Sequence, residues 1–173
     1  MTNCFLELRK IHNPRSLQLL ENHIRRSGDS LERCFVESTC SQRSYWDAIQ
    51  HRIHSLPYYD NHKVRSNAVL AYSLYMTYDK KGRIDIDRWI SGNLEWLHES
   101  FDCAPDGVSN VLEGACHYTL APHLHALVVP VDQRGHLRAR SFTTGYDAQT
   151  ELVTAYCQAM WPLGLIVKRT GGL

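Results

Sequence analysis

The run Pro122-His123-Leu124-His125-Ala126-Leu127-Val128-Val129-Pro130 constrains this chain more than any other segment. It is short, apolar, rich in β-branched residues and bracketed by prolines, the pattern of a strand bounded by turns. Side chains alternate across a strand, so His123 and His125 project from the same face. Two imidazoles held two positions apart on a rigid platform are a candidate binding pair for one divalent cation. Such an ion can turn a bound oxygen into an electrophilic or nucleophilic centre.

The rest of the chain supplies the sheet and its cover. Residues 4–8 read as a first strand. Asn13 followed by Pro14 reads as an N-cap and first-turn proline, with Leu17, Leu20 and Ile24 at helical spacing behind them. His12 then stands at the strand-to-helix junction. Residues 27–44 are polar and weakly patterned, as in a loop, and residues 45–56 suit a helix stopped by Pro57. Residues 64–78 are aromatic and β-branched enough for a long central strand, ended by Lys80-Lys81-Gly82.

An amphipathic helix is expected over 85–101, with Ile86, Trp89, Ile90, Leu94 and Leu97 on one stripe, and a strand over 107–118. A turn at Leu120-Ala121-Pro122 makes the histidine strand its hairpin partner. After a turn at Asp132-Gln133-Arg134-Gly135 comes a basic ribbon, His136 to Phe142, then a helix over 147–160 that Pro162 and Gly164 end. The expected architecture is α+β: an antiparallel sheet of about five strands flanked by helices, with the H-x-H pair on a central strand.

At 173 residues and 43% hydrophobic content the chain suits a single domain, 1–173, with a real core. A net charge of +1 leaves nucleic-acid affinity to local patches. The best such patch is Arg134, His136, Arg138 and Arg140, whose side chains share one face if the ribbon is extended, joined by Lys63 and Arg65. Six cysteines without C-x-x-C spacing and no apolar signal segment indicate a reduced, cytoplasmic protein. No apolar run approaches the roughly 20 residues that a membrane-spanning helix needs.

Four blocks stand in a telling order: His12-Asn13-Pro14-Arg15; Arg65 to Leu70; Pro122 to Phe142, which contains P-H-x-H-x-x-V-V-P; and Leu152 to Leu165, closing on P-L-G-L. Together they resemble the Mob/Pre (MobV-type) family of plasmid mobilisation relaxases, a branch of the HUH single-strand endonucleases. The resemblance implies metal-dependent nicking and joining of one DNA strand. Its DNA is single-stranded or an extruded hairpin at an origin of transfer, with accessory mobilisation proteins as possible partners.

By the same resemblance, His123 and His125 bind Mn²⁺ or Mg²⁺ with a third upstream ligand, His12 attacks the DNA, and Arg15 steadies the phosphate. Counting back from Pro122 puts Cys116 at the third-ligand position and Thr119 where the family carries an acid, while His117 is one position off. A one-residue offset turns a strand side chain to the other face, so only one of Cys116 and His117 reaches the ion unless the strand bulges. A Cys116 thiolate would favour Zn²⁺. Two other readings stand beside this one. One is a non-catalytic DNA-binding protein derived from a relaxase; the other is a replication-initiator-like enzyme with Tyr156, on the final helix, as nucleophile.

Overall fold

The computed structural model describes residues 2–26, 33–38, 43–79, 84–118, 122–143 and 146–168. Its elements run β1 (Thr2–Ile11), α1 (Pro14–Arg26), β2 (Arg33–Ser38), α2 (Tyr45–His54), β3 (Ala71–Tyr78), α3 (Ile86–Phe101), β4 (Val111–His117), β5 (His123–Val128), α4 (Arg140–Thr143), α5 (Tyr146–Met160) and β6 (Leu165–Lys168). Short 3-10 turns at Pro57–Asp60 and Trp161–Leu163 follow α2 and α5.

The strands form one six-stranded sheet in the order β2-β4-β5-β3-β1-β6, with the H-x-H strand inside it. The β1/β3, β3/β5, β4/β5 and β2/β4 pairs are antiparallel, whereas β6 lies parallel to β1. The sheet is therefore mixed rather than purely antiparallel. The added edge strands β2 and β6 fall where the sequence reads as a loop and as a chain end. The long strand expected from residue 64 starts only at Ala71, because Ala68 donates to the Arg65 carbonyl and turns the chain beforehand. The Lys80-Lys81-Gly82 turn, Thr119 and Leu120-Ala121 lie outside the described residues.

Two helical layers cover the sheet. On one face, Leu17 and Ile24 of α1 and Ile49 and Ile53 of α2 are buried with Ala71, Ala115 and Leu127 of the strands. On the other, Trp89, Trp96 and Leu97 of α3 and Tyr156 and Met160 of α5 are buried with Leu6, Leu74, Met76 and Leu124. The alternation of strand side chains divides residues between these layers. Odd-numbered residues of β1, β3 and β5 face α1 and α2, and even-numbered ones face α3 and α5. Among the described residues no helix is long and apolar enough to cross a membrane.

Candidate metal centre

Sheet register assembles the site. His117 of β4 pairs directly with His123 of β5, and Ala115 with His125, so His117, His123 and His125 share the face beneath α1. Cys116 pairs with Leu124 and is buried in the opposite core layer. The placement of Cys116 by counting from Pro122 is thus corrected: pairing with β5, not distance from the proline, sets which side chain turns to the histidines. The bulge on β4 falls between Val111 and Glu113, too early to bring Cys116 round. The thiolate route to Zn²⁺ goes with it.

A fourth imidazole comes from α1. The His23 Nε2 lies 3.2 Å from the His125 Nε2, and the His23 ring centroid is 5.5 Å from that of His117. One nitrogen from each of His23, His117, His123 and His125 falls within 4.8 Å of the others. Two nitrogens on one ion at ~2.1 Å are at most ~4.2 Å apart, so small side-chain rotations suffice for these rings to share a cation. The donor set fits a divalent transition ion. It is all imidazole, and nitrogen ligands favour Zn²⁺ strongly and Mn²⁺ more weakly over Mg²⁺, an ion that prefers carboxylate and water oxygens.

Burial conditions the site electrostatically. Desolvation, followed by the neighbouring His123, His117 and His23, pushes His125 down from 6.5 to about 3. Its ring is therefore neutral near neutral pH, with a lone pair available to a metal. His23, by contrast, is exposed.

The position of α1 over the sheet has local causes. Asn13 caps the helix, its Oδ1 accepting from the Ser16 N–H at 3.2 Å, with Pro14 as first helical residue. At the far end Glu21 accepts from Arg25 at 2.7 Å and from the Tyr45 N–H at 3.2 Å. The Arg25 guanidinium lies 4.5 Å over the Tyr45 ring, and the Tyr45 hydroxyl donates to Glu113 of β4 at 2.8 Å. Helix, α2 and sheet are tied together beside His23.

His12 stands elsewhere. It follows Ile11, which pairs with Ala71, four residues along β3 from Tyr75, the partner of His125. At ~3.4 Å per residue and ~4.8 Å per strand step, that separates it from His125 by on the order of 15 Å. Its Nδ1 bonds the Ala68 carbonyl oxygen at 3.1 Å, holding it at that end. Arg15 is exposed on the first turn of α1. The attack on DNA that the resemblance implies for His12 would need it beside the metal site, and its place does not fit: β1 continues to Ile11 and carries the junction past the histidine cluster.

The basic ribbon is corrected too. Asp132 accepts from the Arg134 and His136 N–H groups at 2.9 and 3.0 Å, and Gly135 takes φ +73°. Residues 132–136 thus form a tight turn, and Arg140 opens α4, so the four side chains do not alternate along one strand. Arg138 lies 3.9 Å from Asp132. His136 packs on Tyr58 at 4.1 Å, Tyr58 stacks on His62 at 4.0 Å, and the Leu137 N–H donates to the Tyr59 hydroxyl at 3.1 Å. Burial pushes the Tyr59 hydroxyl above its ordinary pKa, and the nearby Arg65 charge opposes that shift. Lys63, Arg65, Arg134 and Arg138 are exposed, and His12, bonded beside the 65–68 turn, shares this end of the sheet.

Tyr156 is wholly buried, its hydroxyl donating to the Asn93 Oδ1 at 3.1 Å. Burial, then Cys4 and Cys157, push its pKa well above the usual tyrosine value. A phenol sealed in the core cannot reach DNA, which removes the nucleophile of the initiator-like reading.

The sequence reading missed His23. Its one visible signal is its place beside Ile24, on the turn after Leu20, at the edge of the apolar stripe of α1. An imidazole there looks down on whatever the helix covers.

The architecture matches solved structures of the MobM relaxase domain (MOBV; Mob_Pre) bound to plasmid pMV158 oriT DNA. One, with 22-nucleotide DNA and manganese at pH 5.5, superposes with a TM-score of 0.78 at 17% identity, over 98% of this chain and 91% of that one. A second, also manganese-bound and at pH 4.6, gives 0.79 at 18% over 97% and 90%. A third, with 26-nucleotide DNA, gives 0.75 at 19% over 99% and 92%. At these identities the likeness is one of fold. No family model and no curated protein matches the sequence.

Proposed function

We propose that this chain is a single relaxase-type domain that nicks and rejoins one DNA strand with the help of a divalent metal ion. The observation that carries the reading is the four-histidine cluster, built from two adjacent strands and one covering helix. It stands in a fold that solved relaxase domains share, bound in their case to oriT DNA and manganese.

His117, His123 and His125 would hold the ion, since all three project from the rigid sheet. When bound, the ion would supply positive charge to the scissile phosphate. His23 is assigned as nucleophile in place of His12, because it is the exposed member of the cluster and comes from a different element. A ring nitrogen of His23 attacks phosphorus; a P–N bond forms as the P–O3′ bond breaks, and O3′ leaves as a hydroxyl after taking a proton from water, whose hydroxide takes the remaining ring proton. Rejoining reverses these steps. Lys63, Arg65, Arg134, His136 and Arg138, with His12 and Arg15, are assigned to backbone phosphates away from the reacting centre, and Arg140 to the rim of α4. A cytoplasmic place of action fits a DNA substrate and the free thiols at Cys4 and Cys103.

The test is incubation of the chain with supercoiled plasmid carrying its own flanking DNA and Mn²⁺. The reading expects conversion to open circles, lost in His123→Ala. DNA that is bound but never nicked supports the non-catalytic alternative instead.

A further inference from the structure

A groove of about 620 Å³ opens between α1 and strands β1 and β3 and runs into the histidine cluster. Its floor is Tyr75, which lies in one sheet row between Glu7 and His125. The Tyr75 ring centroid is 5.2 Å from that of His123 and 5.3 Å from that of His125. Leu20 of α1 faces into the groove from above, Ser73 continues the floor, and Arg9 stands at the side with its Nε 2.7 Å from Glu7 Oε1.

We propose that this groove is a nucleobase subsite, which takes the base next to the reacting phosphate and stacks it on Tyr75. The inference rests on the DNA reading above and adds the occupant of one pocket. An aromatic floor and an apolar cover accept the faces of a base. An exposed guanidinium at the side donates to its 5′-phosphate, which the same groove's carboxylate would repel. The Glu7 carboxylate lies at the edge, where it accepts hydrogen bonds from the exocyclic amine of adenine, cytosine or guanine, whereas thymine offers it only an N3–H flanked by two carbonyl oxygens that repel it. The groove ends at His23 and His125, so a nucleotide with its 5′-phosphate at Arg9 has its 3′-oxygen toward the cluster.

The probes are the four deoxynucleoside 5′-monophosphates, added without metal to the whole chain carrying ¹³C-labelled tyrosine rings. The Tyr75 ring signals are expected to move upfield and saturably with dAMP, dCMP and dGMP, and several-fold less at equal concentration with dTMP. Tyr75→Phe should retain binding, read by saturation transfer to the base protons. Tyr75→Leu should weaken it at least tenfold, and Arg9→Ala should weaken nucleotides but not nucleosides. Tyr75 signals that ignore all four nucleotides overturn the subsite, and an equal response to dTMP overturns the role of Glu7. Plasmid nicking is scored separately. A chain that nicks while Tyr75 ignores nucleotides loses only the subsite; a chain that does not nick while Tyr75 responds loses the relaxase reading and keeps it.

Discussion

The Nε2 atoms of His23 and His125 lie 3.2 Å apart although 102 positions separate them in the chain. One ring rides on a covering helix and the other on a central strand, so their meeting depends on how α1 is seated. The Glu21, Arg25, Tyr45 and Glu113 contacts seat it.

The ligand set divides cleanly by face. His117→Ala should lower Mn²⁺ affinity by more than the ~10- to 100-fold typical of losing an outer-sphere partner. Cys116→Ala should leave affinity unchanged and cost about 1–2 kcal/mol of stability, as expected of a small core truncation. Calorimetric titration of both variants checks this. The reverse order would show that the register at the end of β4 is wrong.

The buried His125 makes metal-free stability depend on acid. Its folded pKa, about 3, lies below the ordinary 6.5. Between those values the unfolded chain binds a proton that the folded one refuses, so stability falls as pH drops from about 6.5 toward 3. In EDTA, the melting temperature should decline over that window. His125→Leu should flatten this contribution, and an unchanged slope in that variant would remove His125 as its source.

Cations at the far end of the sheet should show in the salt dependence of binding. Replacing Arg65 and Arg138 together by alanine should flatten the log–log slope for single-stranded DNA by about 1.4, at roughly 0.7 per phosphate contact. Fluorescence anisotropy across a salt series gives the slope. The metal affinity of the double variant should equal that of the parent.

Tyr156 is a structural phenol. Tyr156→Phe should leave nicking unchanged and cost about 1 kcal/mol, the usual net worth of one buried hydrogen bond, here to Asn93. Chemical denaturation and plasmid relaxation read the two effects separately, and a loss of nicking in a stable variant would revive the initiator-like mechanism.

What the sequence disclosed about this molecule follows from periodicity. The alternation around His123 and His125 located a central strand and its polar face, and the apolar stripes of α1 and α3 located two covering helices. Edge strands β2 and β6 escaped because their partners lie far away in sequence, and local pattern does not encode pairing. The choice between Cys116 and His117 needed the register of β4 on β5. His23 escaped because its role comes from the seating of a helix over a sheet. His12 drew attention through a four-residue motif, whereas its distance from the cluster depends on how far β1 extends before the chain turns.

The most direct measurement traps the nicked complex with Mn²⁺ and maps the DNA-linked peptide by mass spectrometry under conditions that preserve an acid-labile phosphorus–nitrogen bond. The adduct is predicted on His23 and should vanish in His23→Ala while His12→Ala still forms it. An adduct on His12 or Tyr156, or no adduct while the DNA is bound and the metal site is filled, would contradict the assignment of the helix histidine as nucleophile.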